Sequence, residues 1–251
     1  MEKSHNIAKK HMRIKVFSIV AFTVVVLLII ASNVLVSAAL VPSFMEKLSA
    51  FEEITEESYA ALVHTDDITQ NKLKAKEDTK AWLDYILEQD PQAQIVLQGQ
   101  SMGAACALLM AEEELPKNVI AVVSDCAFSD AYEMFQKQMK DWFGLPAFPL
   151  LPLANQMLQL RGGYDLHNAS PIKNMDKIQI PVLFIHGSED ELIPAEMTRE
   201  MYEAAVCEKE LLIMAGAGHA QSQDKDPELY YETIFSFLKK IIVVPHLSDN
   251  S

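Results

Sequence analysis

The sequence predicts an α/β protein: a parallel sheet of about four recognisable strands flanked by helices, behind one long apolar helix near the N-terminus. Three observations predict it. From residue 94 onward, short apolar runs alternate with helical patterns, the mark of a parallel sheet covered on both faces. Half of the 251 residues are hydrophobic and 22% are charged, a globular composition with enough chain for one substantial core. The 25 residues from Val16 to Leu40 carry no charge.

That charge-free run exceeds the roughly 20 apolar residues that a membrane-spanning helix needs. Lys3, Lys9, Lys10, Arg13 and Lys15 precede it against the single acid Glu2. The basic flank places residues 1–15 in the cytoplasm and the bulk of the chain across the membrane. These residues carry +4, which leaves −18 on the remainder of a chain whose net charge is −14. The expectation is a single-pass membrane anchor with an extracytoplasmic domain. The alternative is a secreted protein cleaved at Val36 to Ala38, although the run is longer than a signal peptide's apolar core. An acidic chain without a long basic patch argues against a nucleic-acid partner. Three cysteines, Cys106, Cys126 and Cys207, are too few for a disulfide scaffold and read as free thiols, two of them in apolar runs.

After Pro42, Phe44, Leu48, Phe51, Ile54, Tyr59 and Leu62 recur at helical spacing. Residues 41–77 therefore read as a helical linker, and 78–245 as the domain, with 246–251 a tail. A second helix ends before Pro91, and Trp82, Tyr85 and Ile86 are expected to form its apolar face. "AQIVLQG" is a short buried strand and "AACALLMAEEE" the helix after it; "NVIAVVSDCAF" is the next strand and "DAYEMFQKQMKDWF" a helix. Gly144 to Leu160 is irregular or helical. "IPVLFIHG", "PAEMTREMYEAA", "KELLIMAGAGH" and "DPELYYETIFSFLKKII" complete the alternation as strand, helix, strand plus loop, and closing helix.

Chemistry concentrates at the strand ends. Gly99-Gln100-Ser101-Met102-Gly103 is a weak signal by itself, and Ser101 is then equally a helix N-cap. It gains weight from lying between a β-rich run and an Ala-rich helix, the strand–turn–helix setting of a nucleophile elbow. Gly99 and Gly103 are expected there because side chains two residues either side of the serine would collide. The Met102 N–H opens the helix and can face a developing oxyanion. A serine hydroxyl needs a base, and the base an orienting acid. Asp190 follows the strand ending in His186-Gly187, and His219 follows the next strand. The order Ser101, Asp190, His219 is that of one triad-bearing fold, and each residue lies just past a strand's C-terminal end, where open α/β sheets place their sites. Asp125 is a rival acid, better suited to capping or bonding nearby backbone. His186 reads as a turn-shaping residue. Asn168-Ala169-Ser170 is a glycosylation sequon by pattern alone. No His, Cys and Asp spacing suggests a metal site, and no cofactor motif occurs.

"IVLQGQSMGAA", "VVSDCAF", "PVLFIHGSEDELIP" and "GAGHAQS" together resemble the α/β-hydrolase superfamily over the C-terminal 160 residues. More narrowly they are similar to membrane-anchored bacterial hydrolases described as lysophospholipase- or dipeptidyl-aminopeptidase-like. The resemblance implies Ser101 as nucleophile, Asp190 as acid and His219 as base, acting on a small ester or acyl substrate. In complete members of that family, several strands precede the elbow and a His-Gly loop supplies a second oxyanion donor. No His-Gly precedes Ser101 here, and none of the eight glycines precedes Gly99. The fold expected is thus a reduced α/β-hydrolase, its first strand an open apolar edge prone to pairing with a second copy or a partner. A degenerate relative, a covered edge and an internal deletion each account for the shortfall. Phe128 to Asn168 falls where this fold often inserts a lid. A catalytically impaired binding module is the competing function.

Overall fold

The structure, a computed structural model, describes residues 72–242. Residues 16–40, the expected membrane helix, and residues 41–71 lie outside them. Among the described residues no helix is long and apolar enough to cross a membrane.

Helix α1 (Lys72–Gln89) ends directly before Asp90-Pro91, where the proline ring stops helical hydrogen bonding. Its inward stripe is Thr79, Leu83, Ile86 and Leu87, at spacings of four, three and one. Trp82 and Tyr85, expected on that face, point outward at 56% and 55% exposure and meet edge to face at 5.9 Å. Leu83, not Trp82, is the buried anchor. The expectation counted apolar residues without resolving which of two adjacent stripes faces the core.

Four parallel strands follow in the spatial order β1-β2-β3-β4: β1 (Ile95–Gln100), β2 (Val119–Asp125), β3 (Val182–Gly187) and β4 (Lys209–Met214). The central pair, β2 and β3, reads "VIAVVSD" and "VLFIHG", apolar along both faces until the last residues. That is the signature of strands covered on both sides. Period-two alternation divides them between two cores. Val122, Val182 and Phe184 face one, with Ile95 and Leu97 of β1. Ala121, Val123, Leu183 and Ile185 face the other.

Helices cover each face. Helix α2 (Met102–Ala111) packs Ala104, Ala105 and Leu108 against the first core, where the small alanines let helix and sheet approach closely. Helix α5 (Ala195–Ala204) adds Met197 and Met201 to the same core. The last helix, α7 (Pro227–Ile241), places Tyr230, Ile234 and Phe237 on the second. Asp226 caps it by accepting the Leu229 N–H at 3.0 Å, and Pro227 takes the first helical position, which needs no donor. The short helix α6 (Ser222–Lys225) precedes it.

The β2-to-β3 connection is the long one. It holds α3 (Ala131–Phe143), α4 (Leu150–Gly162) and two 3-10 turns. Residues 139–165 form a compact unit distinct from the sheet-bearing one. Within it α4 ends on Gly163, left-handed at φ 73°, and the Asn155 amide donates to Asp165 at 2.9 Å. The irregular-or-helical expectation for Gly144 to Leu160 resolves into this helix.

Register aligns the strand ends. Gln100 pairs with Asp125, Asp125 with Ile185, and Gly187 with Met214, so the elbow and three loops emerge at one rim. Three backbone bonds stitch it: Ser101 N–H to Asp125 O at 2.8 Å, Cys126 N–H to Ile185 O at 2.8 Å, and Ser188 N–H to Met214 O at 2.9 Å.

Candidate active site

Ser101 stands between β1 and α2 at φ 56°, ψ −118°, a left-handed conformation that costs a non-glycine residue about 1–3 kcal/mol. The surroundings hold it there: its N–H is tied to Asp125 and its carbonyl accepts from Ala105 at 3.1 Å. It occupies the N-cap position, but its side chain makes no cap hydrogen bond. The hydroxyl is turned to His219 instead, with Oγ 2.8 Å from Nε2.

The elbow glycines separate. A Cβ on Gly99 would fall 2.3 Å from the carbonyl carbon and oxygen of Gly103, so the turn closes only because position 99 has no side chain. A Cβ on Gly103 would meet nothing within 4 Å. The expected collision on both sides is corrected to one: the tight approach is between the Gly99 α-carbon and the Gly103 backbone, and it needs a single glycine. A similar contact works on the far side. A Cβ on Gly187 would lie 2.3 Å from Ala217 O, so this glycine lets the loop after β4 cross close to the end of β3. The Glu189 N–H to Ala217 O bond, 2.9 Å, fixes that crossing and with it His219.

His219 Nδ1 lies 2.7 Å from Asp190 Oδ2. Asp190 Oδ1 accepts the N–H groups of Leu192 at 2.9 Å and Ile193 at 2.8 Å. Burial by itself would raise this carboxyl. The bonds from His186, His219 and the Ile193 N–H outweigh it and hold Asp190 well below the usual carboxylate range, ionised at neutral pH. With Asp190 accepting at Nδ1, His219 carries its proton there, and Nε2 is left with a lone pair for the serine hydroxyl. Asp190 is therefore a buried acceptor, not a solvated turn residue. The His219 side chain keeps 20% of its surface exposed, so the pair is open to solvent on one side. The Met102 N–H occupies the first position of α2, where helix donors lack intrahelical partners.

Three further groups gather at the rim. Asp125, the rival acid, bonds neither His219 nor backbone through its side chain. Its Oδ2 accepts from Gln100 Nε2 and Tyr230 OH, both at 3.2 Å. Its Oδ1 is buried without a hydrogen-bond partner. Burial raises this carboxyl, with Gln100 and Tyr230 pulling the other way. Cys126 follows at φ 49°, and burial together with the neighbouring carboxylates of Asp125 and Asp190 pushes its thiol well up. Cys126 Sγ, an Asp190 oxygen and a His219 nitrogen lie within 4.8 Å of one another, a grouping that sequence spacing did not foreshadow. The Asp–His pair is engaged internally and the thiol is held protonated, so these groups serve the hydrogen-bond network as they stand. His186 is the third, fully buried, with Nε2 3.2 Å from Asp190 Oδ2. Its place at the end of an apolar strand before Gly187 was the only advance signal.

Comparisons with known proteins agree with this fold. Residues 64–157 match a family model described as the alpha/beta hydrolase fold, and residues 152–226 one described as serine aminopeptidase, S33. The uncharacterized protein YqkD of Bacillus subtilis is 38% identical over 144 residues, 57% of this chain and 47% of that one. An uncharacterized protein of Mycobacterium tuberculosis is 28% identical over 163 residues, 65% of this chain and 50% of that one. The chain spans about half the length of these curated relatives. Among solved structures, an esterase of Pyrococcus furiosus superposes with a TM-score of 0.52 at 23% identity, covering 68% of this chain and 63% of that one. The acylaminoacyl peptidase of Pyrococcus horikoshii gives 0.53 at 18% identity, covering 71% of this chain and 30% of that one. Sheet order and elbow fit what these matches describe: the chain has an α/β fold with a parallel sheet, and over residues 64–226 it is similar to α/β-hydrolase families.

Proposed function

We propose that this chain is a serine hydrolase that cleaves a carboxylic ester through Ser101, His219 and Asp190. The observation that carries the proposal is the unbroken hydrogen-bond line from Ser101 Oγ to His219 at 2.8 Å and from His219 to Asp190 at 2.7 Å. Ser101 Oγ attacks the substrate carbonyl while His219 Nε2 takes its proton. Asp190 keeps the Nδ1–H tautomer and balances the imidazolium that forms. The oxyanion receives the Met102 N–H. Collapse of the intermediate expels the alcohol, which leaves with the proton from His219. Water then enters by the same route in reverse and frees Ser101. An amide or thioester is the lesser substrate class; the match to a serine aminopeptidase model speaks for the amide.

Residues 16–40 tether the enzyme to a membrane in this proposal, with the domain on the extracytoplasmic side. Protease treatment of intact cells and of lysates reads the topology. Degradation in intact cells supports it, and protection until lysis rejects it.

A second reading is favoured by one feature. Among the described residues β1 pairs on one side only, with β2, and no strand precedes it. On this reading the chain supplies no upstream strands, and with them go one wall of the substrate site and the second oxyanion donor; losing one such donor typically costs about 10²–10³ in rate. On this reading the chain is an impaired, membrane-tethered binding module. Hydrolysis of a panel of p-nitrophenyl acyl esters by the full chain, beside Ser101→Ala, separates the two. Turnover that vanishes in the variant supports the hydrolase. Identical rates for the two proteins, at the level of free imidazole, support the module.

A further inference from the structure

Two histidines share the Asp190 carboxylate. His219 reaches Oδ2 from the loop after β4 at 2.7 Å, and His186 reaches the same oxygen from the end of β3 at 3.2 Å. The protonation of His186 follows from its partners. Its Nε2 lies 2.8 Å from the carbonyl oxygen of Ile193, which can only accept, so Nε2 carries a proton. That N–H is shared between Ile193 O and Asp190 Oδ2. In the neutral ring Nδ1 must then accept, and the Thr198 hydroxyl, 2.7 Å away, donates to it. Both side chains are sealed from solvent, His186 at 0% and Thr198 at 1% exposure. A single line of hydrogen bonds thus starts in α5 at Thr198, passes through His186 to Asp190, and meets the line coming from Ser101 through His219.

We propose that His186, seated by Thr198, is a positioning residue of this site: it holds the Asp190 carboxylate in the plane that serves His219 and sets how strongly Asp190 binds the His219 ring. Its catalytic consequence rests on the hydrolase proposal above; its structural consequence does not. The physical reason is competition for one oxygen. Oδ1 is already committed to two backbone N–H groups, so Oδ2 must serve both imidazoles. Charge that His186 draws from Oδ2 is unavailable to His219. Removing the His186 donor leaves Oδ2 a stronger acceptor for His219 alone and favours the protonated His219 ring. The remaining ionisable groups at the rim are Asp125, which bonds Gln100 and Tyr230, and Cys126, which lies beside Asp125 and Asp190. Neither bonds His186, so neither substitutes for it.

His186→Leu is expected to shift the acid limb of the pH–rate profile for ester hydrolysis upward by roughly 0.5–1 unit, the size of one net hydrogen bond. kcat should fall about 3–10-fold with KM little changed, since the group touches no substrate. Thr198→Val, which removes only the hydroxyl, should move the limb in the same direction by less. Thr198→Ser and His186→Gln, which keep the hydroxyl and an N–H donor respectively, should restore it. A packing role alone would show neither the ordered pH shift nor the rescue. The proton on His219 Nδ1 gives a second readout that needs no turnover. Its low-field NMR resonance should move further downfield in His186→Leu as the bond to Asp190 strengthens.

A folded His186→Leu protein with an unmoved resonance and an unmoved acid limb overturns the proposal. Should that variant fail to fold, Thr198→Val carries the same test with one hydrogen bond removed and little volume changed. A downfield shift in a protein that hydrolyses nothing upholds the positioning role and overturns the hydrolase proposal instead.

Discussion

At the C-terminal rim of the sheet, Ser101, His219, Asp190 and His186 are joined by contacts of 2.7 to 3.2 Å. Along the β1 edge, Ile95 and Leu97 are buried by α2 on one face, yet the strand's outer ladder has no partner among the described residues. The two regions share a strand, and the difference shows what each depends on. The hydrogen-bonded line needs only the ends of β1, β3 and β4 in register, and the described residues hold all three. On the hydrolase proposal, activation of the nucleophile draws on the rim alone and binding of the substrate also on the β1 edge, so substitutions should affect the two separately.

The largest effect is expected at the rim. Ser101→Ala should lower kcat for ester hydrolysis at least about 10⁴-fold while leaving thermal unfolding unchanged, and Asp190→Asn should cost roughly 10³–10⁴ by spoiling the His219 tautomer. Steady-state kinetics beside calorimetry check both. A Ser101→Ala protein that loses stability and activity together would mean the serine is only part of the turn.

The elbow glycines sharpen the comparison on the structural side. Gly99→Ala drives a methyl into the Gly103 backbone and should cost about 3 kcal/mol or more, enough to prevent folding at moderate temperature. Gly103→Ala enters open space on a helix and should be neutral or stabilising by up to about 1 kcal/mol. Urea unfolding of the two variants reads the contrast; equal losses would mean that the turn is not closed as described.

A smaller, pH-dependent effect divides the two buried carboxyls. Asp125 is raised in the folded state, so above the ordinary carboxylate pKa the folded chain holds more proton than the unfolded one, and stability falls as pH rises. Asp125→Asn removes that loss. Its advantage over the parent should be smallest at pH 4 and grow toward pH 7. Asp190 is lowered, so its contribution is present above the ordinary carboxylate pKa and is lost as pH falls toward the folded value. Asp190→Asn should therefore be less stable than the parent at pH 7 and approach it in acid. Denaturant midpoints at both pH values decide the two signs.

Much of this architecture was legible in advance. β2 and β3 announce themselves as apolar runs that end on Asp125 and on His186-Gly187, and the strand-end rule points Ser101, Asp190 and His219 to one rim. What escaped the sequence depends on direction rather than composition. Trp82 and Leu83 are neighbours of similar hydrophobicity, and only packing decides which turns inward. Gly99 and Gly103 look symmetric about the serine, but the strand approaches the helix at one of them alone. His186 reads as a turn residue because its two decisive partners, Ile193 O and Thr198, are set by how the loop after β3 folds back into α5. Cys126 and Asp190 lie 64 positions apart, and their meeting is a matter of register that no local pattern carries.

The central claim is that Ser101 is a nucleophile activated by His219. Intact-mass spectrometry of the full chain after reaction with a fluorophosphonate, followed by peptide mapping, tests it most directly. The account predicts one adduct, on the peptide containing Ser101, absent in Ser101→Ala and formed far more slowly in His219→Asn. A folded parent that takes up no adduct, or takes it up equally well without Ser101, would contradict it.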